Sequence, residues 1–138
     1  MTTMPQAKQA ILSAFVTAWA DETPYTFDNE DFKPPKDDPW VRLVIRHEDS
    51  GQETLGPVGF RKFARRGRVL VQVFTPEDKG TTRSDELLVL ARNAFEGVTL
   101  AGTTVRFHAV TTREVGSNQD DKWFQAIVDA PFEYDETR

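Results

Sequence analysis

Cysteine is absent from the 138 residues, which excludes disulfides and thiolate metal sites. Histidine is scarce, with only His47 and His108. No apolar run approaches the roughly 20 residues that cross a bilayer. The N-terminus lacks a cationic start, a long apolar stretch and a cleavage signal, so no secretory signal is expected. Net positive charge is lacking too. At −5 overall, the chain is a poor default ligand for nucleic acid.

Catalytic patterns are equally thin. His47, Glu48 and Asp49 are adjacent, but neighbours at a strand end point in different directions, so they make a poor metal set. His108 alternates within a strand and reads as solvent-facing or core-edge. Ser13, Ser50, Ser84 and Ser117 sit in no nucleophile elbow. The loop from Pro76 to Thr82 lies between strand and helix but lacks P-loop glycine spacing, and Glu77 and Asp78 would repel a phosphate. His47, His108 and Asp129 are scattered candidates for a ligand pocket. No enzyme, cofactor or metal is expected.

What is present is a regular alternation of apolar patterns. Ile11, Phe15 and Trp19, widened by Leu12 and Val16, predict a core-facing helix from Pro5 to Ala20. Trp40 to His47 reads as a strand, with a turn over Glu48 to Gln52. A second strand is expected over Gly56 to Arg65, with Val58, Phe60 and Lys62 on one face. A tight turn at Arg66-Gly67 would follow, glycine supplying a positive φ. Gly67 to Pro76 is almost unbroken and apolar, which predicts a central strand covered on both faces. Thr82 and Asp85 carry capping-box spacing for a second helix, striped by Leu87, Leu88, Ala91, Ala94 and Phe95 and stopped by Gly97. Strands over Thr103 to Val115 and Lys122 to Phe132 complete the pattern. They flank a polar loop over Gly116 to Asp121 and leave an acidic, frayed tail from Glu133. The expectation is one α+β domain over residues 1–138. Its single mixed, mainly antiparallel sheet has about five strands and two flanking helices, in the order α-β-β-β-α-β-β.

Two charged stretches point to function. Residues 21–39 hold four prolines and many acids, so they form a long irregular connection. Its rings Tyr25, Phe27 and Phe32 either pack back on the domain or, with Glu30 and Asp31, meet a neighbouring subunit. The basic run Arg61, Lys62, Arg65, Arg66 and Arg68 reads as a solvated hairpin face, a salt-bridged subunit interface or a nucleic-acid contact. A basic patch and an acidic patch on one small chain suit a head-to-tail interface, in which Arg61, Arg65 and Arg66 face acids of residues 21–38 on the next copy.

Several stretches carry a family likeness. They are Pro39-Trp40-Val41-Arg42, the run Arg66 to Pro76, and Lys79-Gly80. The helix Leu87 to Phe95 with Glu96-Gly97 and the strand Lys122 to Val128 follow in order. Together they resemble the tail terminator, or tail completion, proteins of long non-contractile-tailed phages, including related minor tail proteins of prophages. The resemblance implies a helix-flanked sheet and a structural protein of the virion tail, assembled in the host cytoplasm. It also implies a ring, typically a hexamer, on the last ring of the tail tube. That ring would stop polymerisation, dock the head-completion (neck) protein and let DNA pass through its lumen without specific binding. No cofactor or membrane is implied. The competing expectations are another head–tail connector of similar fold, a small-ligand-binding α+β domain and a nucleic-acid-binding module.

Overall fold

The computed structural model describes residues 2–77, 80–117 and 122–138. Helix α1 spans Met4–Trp19 and is set by its cap. The Thr3 side chain accepts from the Gln6 backbone N–H, and the Gln6 side chain accepts from the Thr3 N–H, a complete capping box. Ala7, Ile11, Phe15 and Trp19, four residues apart, form the buried stripe. Ala20 ends the helix in the left-handed region, and the buried Trp19 indole donates to Thr23.

The sheet comprises β1 (Tyr25–Phe27), β2 (Trp40–Gln52), β3 (Lys62–Pro76), β4 (Arg106–Phe107), β5 (Thr111–Ser117) and β6 (Trp123–Thr137). Its order is β1-β2-β3-β6-β4, with β5 also pairing β6. Among the described residues, only the β1–β2 pair is parallel. The α+β class and the single mixed, mainly antiparallel sheet therefore hold, with six strands where about five were expected.

Helix α2, Thr82–Phe95, lies with α1 on one face of the sheet. Val41, Leu43 and Ile45 of β2, Val69, Val71 and Val73 of β3, and Ala126, Val128 and Ala130 of β6 meet both helices in one core. Phe15 is its hub, stacked on Trp19 at 5.2 Å and Phe95 at 6.4 Å, with Tyr25 edge-on at 6.0 Å. Gly97 stops α2 at φ 68°, donating its N–H to His108. The Thr82–Asp85 capping box does not form, because the helix starts one residue earlier in its capping frame, at Thr81, whose side chain makes no cap bond.

Several strand boundaries differ from the expectation for physical reasons. The turn expected over Glu48 to Gln52 is strand, because a bulge between His47 and Asp49 lets β2 continue through the polar residues. The strand expected over Gly56 to Arg65 begins only at Lys62, and residues 53–61 are the hairpin connection. Arg66-Gly67 is no turn: β3 runs straight through, with Gly67 paired to His47 and Phe132. Glycine is required there by close approach, since a Cβ would lie 2.3 Å from the Arg46 carbonyl oxygen and 2.8 Å from Phe132 Cζ. Nor is β3 covered on both faces. Val69, Val71 and Val73 are fully buried, whereas Leu70, Gln72 and Phe74 are half-buried on a face that carries no helix.

The strand expected over Thr103 to Val115 is split into β4 and β5, which pair different stretches of β6. The tail is ordered strand, not frayed. Tyr134 is 1% exposed, and Arg61 and Arg138 exchange backbone hydrogen bonds. Part of the loop over Gly116 to Asp121, and Asp78 and Lys79 of the strand–helix loop, lie outside the described residues.

Candidate functional site

The helix-free sheet face carries an aromatic cluster and a row of paired polar residues. The strand register sets Trp40 beside Phe74 and Gln125, Arg42 beside Gln72, Ile127 and Arg113, and Val44 beside Leu70, Asp129 and Thr111. Trp40 stacks on Phe74 at 4.2 Å and meets the Trp123 edge at 6.1 Å. Phe32 packs on Trp40 at 5.2 Å, which brings the 21–39 connection over this end of the face. The Arg42 guanidinium lies over the Trp40 ring at 5.4 Å.

The other end of the sheet is ionic. Arg46 pairs with Asp28, and that hydrogen bond, opposed by some desolvation, holds the Asp28 carboxyl below its usual range. Arg68 bridges Glu48 and Asp129. Arg106 bridges Glu133 and Asp135, the latter also 3.4 Å from Lys62. The hydrogen bond from His108, with Arg106 assisting against burial, lowers the Glu133 carboxyl.

The basic run expected to face a neighbour is occupied inside the subunit. Arg65 donates twice to Glu136 on the helix-bearing side, with both side chains largely buried. Arg66 meets Asp49 and Glu53 across the hairpin, and Arg61 donates to the Arg138 carbonyl. Tyr25 and Phe27 pack against the core, and Glu30 accepts from the Phe27 N–H. Asp31 is exposed. Within one subunit these residues lie apart, with Arg65 on the helix-bearing side, Arg61 and Arg66 at the hairpin, and Tyr25 and Phe27 against the core.

His47 packs edge-on against the rings of Phe132 and Tyr134. Its Nε2 lies 2.8 Å from the Tyr134 hydroxyl, in a cleft under the start of α1. Among the described residues, no group of three or more His, Asp or Glu side chains is placed to hold a metal ion. Burial, then the nearby positive charges of Lys8 and Arg65, depress the His47 pKa below the ordinary 6.5. The unfolded chain therefore takes up this proton more readily than the folded one, and stability falls as pH drops below about 6.5. Thermal melts between pH 7.5 and 5.5 should show a falling Tm that flattens in His47→Gln. An equal fall in the variant would assign the effect elsewhere.

Sequence reading missed one surface entirely. Leu55, Val58 and Phe60 stand 91%, 79% and 78% exposed in the β2–β3 connection. The signal was Gly56-Pro57 with Gly59, a breaker cluster inside the supposed strand.

Comparison with known proteins agrees with this architecture. No curated protein matches the chain. Solved structures share the fold, and one of them matches with a TM-score of 0.59 at 18% identity, over 93% of this chain and 94% of that chain. No helix is long and apolar enough to cross a membrane among the described residues. The family model for the phage tail terminator protein matches residues 6–131, from within α1 to within β6. The chain therefore belongs to the phage tail terminator family and is a structural component of the virion tail.

Proposed function

We propose that this tail protein closes the tail tube. Copies join head to tail into a ring, a hexamer, that seats on the last ring of the tube, stops further polymerisation and presents its opposite side to the head-completion (neck) protein. DNA passes through the lumen unretained. The observation that carries this reading is the family match over residues 6–131, which takes in every element except part of α1 and β6.

The surface is consistent with it. A closed ring needs two different patches on each copy. The sheet offers two unlike sides: β5, exposed along nearly its whole length, and the charged far end of β2. The direct test polymerises the tube protein with and without this chain. Tubes that stop growing, with the protein at one end, support the reading. Tubes that elongate unaffected overturn it.

The interface proposed for the basic run now needs a sharper variant. Arg65→Glu would set a carboxylate against the largely buried Glu136, so the fold itself would suffer. Arg66 is about half-exposed, and its two pairs are of the surface kind, each typically stabilising by about 0–1 kcal/mol. Arg66→Glu should leave the melting temperature of the monomer nearly unchanged while preventing rings. Rings that form normally in this variant would remove Arg66 from the interface.

A further inference from the structure

Three of the seven large apolar side chains exposed among the described residues sit within one short segment, Leu55, Val58 and Phe60. The segment is held in shape. Glu53 and Thr54 donate to the Lys62 carbonyl, Lys62 donates to the Thr54 hydroxyl, and Phe60 donates to the Pro57 carbonyl. Its apolar side chains are thus presented to solvent by a formed turn. A clustered apolar patch on a small chain marks an interaction site, whereas single exposed residues do not.

The same chain carries a recess of matching chemistry. A cleft of about 330 Å³ opens between α1 and the β1 edge, lined by Leu12, Phe27, Leu43 and Ile45 with Lys8 and Asp28. The apolar segment cannot enter it within one subunit. From Ile45 to Gln52 alone, β2 carries the chain ~23 Å away, at about 3.3 Å per residue. Charge supports the contact at one point: Lys8 of the recess has no ion pair among the described residues and suits Glu53 beside the segment, which Arg66 holds only at 3.6 Å, whereas Asp28 is already held by Arg46.

We infer that the 53–61 segment of one copy seats Phe60 and its apolar neighbours in the α1–β1 cleft of the next copy. The contact joins two different patches, so it propagates head to tail and closes where the rotation allows. The inference rests on the reading that copies of this chain associate, and it names the surfaces that meet. The apolar patch is small beside the roughly 800 Å² per partner of a standard interface. It therefore acts with other contacts and fixes register.

The absence of cysteine makes the test clean. Val58→Cys and Asp28→Cys are introduced together, and concentrated protein is treated with a short bis-maleimide linker. Both positions are exposed, and the geometry above keeps them apart within one chain. The expected result is a series of covalent oligomers joined 58 to 28, lost when Phe60→Asp is added and the monomer melting temperature is unchanged. Monomer alone, or oligomers joined through other pairings, would overturn the inference. Closed rings seen by electron microscopy without 58-to-28 linkage would overturn it and leave the ring reading standing. Linked dimers that never close into rings would uphold this contact and sink the ring.

Discussion

Gly67→Ala should be the most damaging single-methyl change in this protein. The added Cβ would lie 2.3 Å from the Arg46 carbonyl oxygen and 3.1 Å from His47 Cα, both backbone atoms of the neighbouring strand. Neither is the loose end of a side chain, so β2 and β3 must separate, and β3 is the strand that joins β2 to β6. Overpacking of a core site commonly costs about 1–3 kcal/mol, and a clash with backbone belongs at or above the top of that range. Urea denaturation should show a loss of about 3 kcal/mol or more. Gly67→Asn separates this account from a turn. Asparagine tolerates positive φ and would partly rescue a turn glycine, whereas here it should be at least as harmful as alanine. A milder effect for asparagine would contradict the packing argument.

Phe15→Ala should produce a loss of similar size by the opposite route. The ring is fully buried and touches Trp19 of its own helix, Phe95 of α2 and Tyr25 of β1. It is therefore the side chain through which both helices and the edge strand hold together. Truncating a buried Phe costs about 3–5 kcal/mol, part transfer and part cavity. For a chain of this size that corresponds to a melting temperature about 10–15 °C lower. Phe15→Leu, which refills most of the volume, should recover most of it. An unchanged melting temperature in Phe15→Ala would mean that α1 is not docked as described.

These two sites show what the sequence could and could not say. The α1 stripe was legible because Ala7, Ile11, Phe15 and Trp19 repeat at the helical period, and a helix with that stripe has one place to put it. The burial of β6 from Ala126 to Phe132 was legible for the same reason at period two. Gly67 was misread because glycine has two uses, turning a chain and letting two chains touch, and local sequence does not distinguish them. The extension of β2 through Glu48-Asp49-Ser50 was hidden by its bulge and by cross-strand ion pairs with Arg66 and Arg68, which make polar residues acceptable in a long hairpin. The acidic tail is strand for the same reason: Glu133 pairs with Arg106, Asp135 with Arg106 and Lys62, and Glu136 with Arg65.

The functional surface was less legible than the fold. Opposite charges far apart in sequence do not say whether they meet within a chain or between copies. The fold brings Arg65 to Glu136 and Arg68 to Asp129 within one chain. The apolar cluster at Leu55, Val58 and Phe60 was overlooked because the strand pattern absorbed it. The family assignment rests on a match that spans residues 6–131.

Association into rings is the central claim, and negative-stain electron microscopy of the concentrated protein, with its mass by light scattering on the same sample and again after tail tubes are added, tests it most directly. The account predicts closed rings with a central hole, of about six copies, free or seated at one end of each tube. A monomer at every concentration that also leaves tube ends bare would contradict it.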